Sequence, residues 1–341
     1  MFAGHRAENM PASGASAKQA DGGRQLPTSS QPGTANARIL VLLATYNGGR
    51  YLDEQLGSIF NQSIARVDVL ASDDGSSDDT RPKLDVWGRR WTKGDFGVLG
   101  GPRQGFSENF RSLIVRAAPS VDTYVAFADQ DDVWDADKLA VAVAALPRRQ
   151  NGPALYGGRS RLIDTAGRQV GMSPLFRFPP SFRNALVQSL AGGNTMVLNP
   201  ASFALLQESA QRTSFLMHDW WSYLIVSGAG GHVYYDRTPH IGYRQHSENA
   251  VGGGIGILYR PRRTWDLLQG RLVRWSDANL ESLRACQDLL TKDSRGAIAQ
   301  FEQLRRAHVF DAPQRLLQAG IYRQTVKGNL AMGIAALLRR L

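Results

Sequence analysis

Asp129-Gln130-Asp131-Asp132 sets three carboxylates within four residues. Such groups repel one another unless water solvates them or a cation binds between them. A hard divalent ion suits oxygen ligands, and Mg²⁺ or Mn²⁺ typically binds through one or two carboxylates plus substrate phosphates. A solvated acidic loop is the plain alternative. A second acidic turn, Asp73-Asp74-Gly75-Ser76, could accept from a base N–H or a ribose hydroxyl, or simply form an Asx turn ahead of a helix. Thr45-Tyr46-Asn47-Gly48-Gly49 joins polar and aromatic groups to two glycines, yet it is neither G-x-G-x-x-G nor a Walker loop. In His218-Asp219-Trp220-Trp221, Asp219 could act as general base towards a hydroxyl. The alternative there is a helix-start cap beside core tryptophans. Arg244-Gln245-His246 offers a guanidinium suited to a diphosphate and an imidazole of the kind that ligates metals, or else two structural side chains.

The elements that must position these residues are legible in the apolar pattern. Ile39 to Ala44 is a continuous apolar run, as in a parallel strand buried on both faces. A helix follows from Tyr51 to Phe60. Val67 to Ala71 is a second strand, and Ser77 is placed to cap the next helix. Phe96 to Leu99 reads as a third strand, Ser107 to Ala117 as a helix, Thr123 to Ala128 as a fourth strand and Asp135 to Leu146 as a helix. Later segments predict a strand at Met196 to Leu198, a helix at Phe215 to Ser227 and a strand at Val233 to Asp236. Strands alternating with helices at this spacing predict a doubly wound α/β sheet. Ligands in such sheets sit outside the carboxyl ends of the strands. The clusters at 45–49, 72–79 and 129–132 all fall at such ends.

The 341 residues carry a net charge of +10 and a single cysteine, Cys286, which excludes a disulfide framework and a Cys-rich metal site. No apolar run approaches the ~18 residues of a spanning helix, and no signal-peptide pattern opens the chain. The expected address is therefore cytoplasmic, with the inner face of the cell membrane as a variant. Residues 1 to 37, rich in Gly, Ala, Ser, Gln and Pro, read as a disordered segment. From Ile255 to Leu341, 15 basic residues face 7 acidic ones, so most of the excess charge belongs to the tail.

Together, Ala44-Thr45-Tyr46-Asn47, Asp73-Asp74-Gly75-Ser76 and Asp129-Gln130-Asp131-Asp132 resemble the signature of family 2 glycosyltransferases. His218-Asp219-Trp220-Trp221 and Tyr243-Arg244-Gln245-His246 with Asn249 resemble its rhamnosyltransferase-type members. The order and spacing agree from Ile39 to about His246. The resemblance implies a GT-A fold with a mixed sheet, a nucleotide-sugar donor, Mg²⁺ or Mn²⁺, and inversion at the anomeric carbon. It assigns Thr45, Tyr46 and Asn47 to the nucleoside pocket, and Asp74 to the base with Asp73 beside it. Asp129 and Asp131 become the D-x-D pair for ribose and metal, and His246 as a further metal ligand and Arg244 on the diphosphate are expected to act with them. Asp219 falls at the catalytic carboxylate, although many members have Glu-Asp where this chain has His-Asp. The Q-x-x-R-W signature of processive members is missing, which implies single additions.

The implied organisation is a disordered segment (1–37), a GT-A domain (38–254) and a basic helical extension (255–341). The implied donor is dTDP-L-rhamnose, with UDP-sugars second. The acceptor would be a hydroxyl of a glycan or lipid-linked oligosaccharide in cell-surface polysaccharide synthesis, met by Asn194, Trp220 and Trp221. In the tail, Tyr259, Trp265, Leu268, Leu272 and Trp275 interleave with arginines, and residues 328–341 form a second amphipathic piece. Both could lie on an anionic membrane. A helical appendage with a solvated face is the alternative. No nucleic-acid partner is expected. A non-enzymatic, Ca²⁺-dependent carbohydrate-binding module is the competing class, and it predicts sugar binding without a nucleotide.

Overall fold

The computed structural model describes residues 37–146, 152–246, 271–338 and 340–341. Residues 1–36 of the segment expected to be disordered, the glycines at 252–254 and the aromatic and basic residues at 259–268 lie outside these residues, while Ala37 is buried.

The first half alternates as expected: β1 (Arg38–Thr45), α1 (Gly49–Phe60), β2 (Arg66–Asp73), α2 (Thr80–Arg90), β3 (Phe96–Gly100), α3 (Phe106–Arg116) and β4 (Tyr124–Ala128). β5 (Val133–Trp134), α4 (Lys138–Ala145), β6 (Ala154–Gly158), β7 (Arg161–Ile163) and β8 (Gln169–Met172) come next. Then come α5 (Phe182–Ala185), β9 (Val197–Leu198), α6 (Pro200–Arg212), α7 (His218–Gly228), β10 (His232–Asp236) and β11 (Ile241–Arg244). Four C-terminal helices follow: α8 (Arg271–Ala285), α9 (Lys292–Arg306), α10 (Ala312–Ala319) and α11 (Val326–Leu337).

The large sheet has seven strands in the order β10-β6-β9-β4-β1-β2-β3. β9 runs antiparallel to both β4 and β6, so the doubly wound sheet is mixed. A smaller sheet, β5-β11-β7-β8, lies beside it. Ile39, Val41 and Leu43 of β1 enter the core under α1 and α4, while Leu40 and Leu42 enter the one under α3, α6 and α7. Burial on both faces is why β1 reads as one unbroken apolar run. Each such side chain contributes about 1.5–3 kcal/mol.

Register then positions the chemistry. Thr45 is level with Asp73 across β1 and β2, and Leu43 is level with Ala128 across β1 and β4. The three polar clusters therefore emerge at one edge of the sheet.

Several local expectations are corrected. The helix read from Asp135 begins only at Lys138, because Val133 and Trp134 pair with Gly242 and Ile241 as a short strand. The helix read from Phe215 begins at His218, after an extended Met217. Ser77 does not cap α2; its N–H donates to Asn47 Oδ1 at 2.8 Å. Trp275 faces the protein, edge-on to Trp220 at 5.9 Å between ring centroids.

Candidate active site

The first cluster is a braced turn. Asn47 adopts the left-handed conformation (φ 48°), its N–H donating to Ser76 Oγ and its Oδ1 accepting from Ser77. The Thr45 hydroxyl donates to Asp73 Oδ1 at 3.1 Å, and the same carboxylate accepts from the N–H and hydroxyl of Ser76. Thr45, Asn47 and Asp73, expected to touch the donor, also brace this turn, each through hydrogen bonds to the neighbouring loop. Asp74 accepts from the backbone N–H groups of Arg103 (2.6 Å) and Gly105 (2.8 Å), which hold the loop after β3. Each of its oxygens keeps a second lone pair. Tyr46 alone in this group offers a largely exposed ring, 59% accessible.

Gln130 fixes that ring's backbone, a role the sequence reading did not assign. Its Oε1 accepts from the Tyr46 N–H at 2.8 Å and its Nε2 donates to the Tyr46 carbonyl at 3.0 Å. Gly48 makes room for it, because a Cβ there would fall 2.2 Å from Gln130 Oε1 and displace that side chain. This absent side chain was the available signal. Gln130→Ala removes two hydrogen bonds, at about 1 kcal/mol each, so donor KM is expected to rise by roughly tenfold with kcat less affected. Steady-state kinetics check it, and an unchanged KM contradicts it.

The acidic loop is held from beneath. Asp132 is fully buried, accepting from Asn194 Nδ2 at 2.6 Å and from the Arg244 backbone N–H at 3.1 Å. Asn194 is therefore a strut for Asp132 and not an acceptor contact. Arg244 is also corrected. Its side chain, 1% accessible, donates to the carbonyls of Asp131, Asp164 and Thr165 and to Glu54 Oε2, and it stacks over the Tyr51 ring. A guanidinium so occupied does not reach a diphosphate. Arg244→Ala would leave buried carbonyls unsatisfied and is expected to lower stability by about 3 kcal/mol. Denaturant unfolding measures this; wild-type stability with weakened donor binding would return Arg244 to the diphosphate.

His246 stacks on Tyr51, with Nε2 at 2.5 Å from Asp131 Oδ2. Burial, then the charges of Asp131 and Asp219, push the Asp129 carboxyl up to about 7. Asp129, Asp131 and Asp219 thus share one electrostatic neighbourhood. Among the described residues, the trio of ligand atoms within 4.8 Å of one another is instead Asp135, Asp137 and His240. Arg161 already holds both oxygens of Asp135, at 2.5 and 2.7 Å, so that trio is an ion-pair network.

Asp219 sits in the first turn of α7, half-buried, with Oδ1 accepting from the Trp220 N–H at 2.6 Å. Burial pushes its carboxyl up to about 6, against the pull of the helix-end N–H groups. His218 lies between Phe110 and Phe127, 3.7 Å from the Phe110 centroid, with neither ring nitrogen hydrogen-bonded to protein. Burial lowers it to about 3, so it is a neutral packing residue at pH 7. Gly193 makes room for it, since a Cβ there would meet His218 Nε2 at 2.0 Å. Trp220 and Trp221 are core residues, donating to the Ala185 carbonyl and to Ser209 Oγ. Neither presents a face to a sugar, which corrects their assignment to the acceptor.

Comparison with known proteins agrees with this geometry. Residues 40–212 match the model of the family described as glycosyl transferase family 2. The dTDP-rhamnosyl transferase RfbG of Shigella flexneri is 27% identical over 235 residues, 65% of this chain and 77% of that protein. The UDP-Glc:alpha-D-GlcNAc-diphosphoundecaprenol beta-1,3-glucosyltransferase WfgD of Escherichia coli is 24% identical over 119 residues, 35% of this chain and 44% of that protein. Among solved structures, S. aureus TarS 1-349 in complex with UDP-GlcNAc superposes with a TM-score of 0.52 at 14% identity, over 88% of this chain and 81% of that one. The likeness establishes the GT-A fold.

Proposed function

The chain belongs to glycosyl transferase family 2, and on that premise we propose that it moves L-rhamnose from dTDP-L-rhamnose to an acceptor hydroxyl, with inversion at the anomeric carbon. Its similarity to the Shigella flexneri enzyme supports the donor. The acceptor is a glycan or lipid-linked oligosaccharide; the name of the Escherichia coli relative gives a lipid-linked sugar, GlcNAc-diphosphoundecaprenol. The observation that carries the chemistry is the acidic loop after β4, whose Asp129 lies within the electrostatic influence of both Asp131 and Asp219.

The carboxylates have separate tasks. Asp219 takes the proton from the acceptor hydroxyl as that oxygen attacks the anomeric carbon. The bond from that carbon to the diphosphate oxygen breaks on the opposite face, and dTDP departs with the electron pair. Tyr46 stacks on the donor base, and Asp74 accepts from its edge. The mutual repulsion of Asp129 and Asp131 fits a cation, and their oxygens with His246 beside them suit Mg²⁺ or Mn²⁺. When bound, that ion supplies Lewis-acid neutralisation of the charge developing on the diphosphate. Arg244, committed to protein carbonyls, leaves that charge unmet.

Slow donor hydrolysis by the pure protein tests the donor. dTDP-rhamnose is expected to be consumed in preference to UDP-glucose and UDP-GlcNAc. Preference for a UDP-sugar would overturn the donor while leaving the family standing.

A further inference from the structure

Helix α11 is apolar on two sides. Met332 and Ala336 face the protein. Val326, Leu330, Ile334 and Leu338 recur at every fourth position and are exposed, Leu330 at 68% and Val326 at 79%. Side chains four apart stack along one face of a helix, so these form a continuous stripe on the outside of the molecule. An uncovered apolar face of this kind marks an interaction surface. From Ala312 to Leu341 the sequence holds no acidic residue, and Lys327 lies exposed beside the stripe. Twelve residues make a helix of about 18 Å, well short of the ~30 Å hydrocarbon core of a bilayer. Among the described residues no helix is long and apolar enough to cross a membrane.

We propose that α11 lies in the surface of an anionic lipid bilayer, with the Val326–Leu338 stripe in the acyl boundary and Lys327 against lipid phosphates. Apolar burial and headgroup attraction act together in such helices. A second copy of the chain would have to bring its own Lys327 face against this one, and like charges oppose that contact.

The helix is also coupled to the candidate site. Arg323 donates to the Val187 carbonyl and Asn184 to the Tyr322 carbonyl, which pins the approach to α11 onto α5. Trp220 of α7 donates to the Ala185 carbonyl at the end of α5. The membrane-facing helix and the turn carrying Asp219 therefore belong to one connected framework. If the transferase reading holds, an acceptor carried on a lipid is met by an enzyme already lying on that lipid's surface.

Flotation of the full chain with vesicles tests this, using phosphatidylcholine alone and phosphatidylcholine with phosphatidylglycerol. The chain is expected to float with the anionic vesicles, less so in high salt, and not with the zwitterionic ones. Leu330→Glu with Ile334→Glu, both at exposed positions, is expected to lower the floated fraction by at least about tenfold while lipid-free donor hydrolysis stays unchanged. Equal flotation of the variant, or no flotation of the wild-type chain, overturns the proposal. So does a wild-type dimer in light scattering that the variant dissolves. Absence of donor hydrolysis by the wild-type chain without lipid would count against the transferase reading and leave this one intact.

Discussion

Asp219→Asn is expected to leave donor binding in place and to lower transfer by roughly 10²–10⁴-fold, the usual worth of general-base assistance. The substitution is nearly isosteric. Asn keeps an oxygen that can accept from the Trp220 N–H, so the first turn of α7 stays capped. It also removes a charge from a half-buried position whose field raises Asp129, so the melting temperature is expected to stay or rise. The wild-type pH profile carries the same signature. Asp219 must be ionised to accept a proton, and burial raises it to about 6. The Asp219 limb is therefore a loss of activity as pH falls through about 6, on the acid side of the weakening of cation binding that protonation of Asp129, pushed up to about 7, brings. In the Asn variant that limb should vanish from the residual rate. Wild-type turnover by a folded Asn variant would remove Asp219 from the role of base.

Asp131→Ala is expected to act earlier in the reaction. It removes the carboxylate that His246 contacts and one half of the pair in which a cation would sit. Metal-stimulated turnover should fall to background, with donor affinity reduced as well, because a divalent ion bound between carboxylate and diphosphate contributes to both. The backbone carbonyl of Asp131 still accepts from Arg244 Nε in the variant, so the loop keeps its anchor. Circular dichroism and thermal unfolding should match wild type. Turnover that still responds to Mn²⁺ in this variant would remove Asp131 from the ligand set.

The parallel half of the sheet was readable because strands buried on both faces give unbroken apolar runs, and β1, β2 and β4 end in polar clusters at matched register. The small sheet was not. Strands as short as Val133–Trp134 and Arg161–Ile163 show no periodicity, and their pairing is set by contacts far along the chain. The same limit explains the reassigned residues. Arg244 and Asn194 have the hydrogen-bonding capacity to meet a substrate, but capacity does not reveal the partner. Their partners, Asp131 and Asp132, lie 113 and 62 positions away. Asp219 stands out in the sequence as the one carboxylate of a largely apolar helix, but a helix-start cap uses the same residue type, and only the family resemblance singled it out as a base. Trp220 and Trp221 beside it were ambiguous, since tryptophan serves cores and sugar sites alike.

Calorimetric titration of dTDP into the wild-type chain, with and without Mn²⁺, tests most directly whether the acidic loop after β4 holds a cation against a nucleoside diphosphate. Binding is expected to be at least about tenfold tighter with the metal and to lose that difference in Asp131→Ala. Equal affinities in the wild-type chain with and without Mn²⁺ would contradict it.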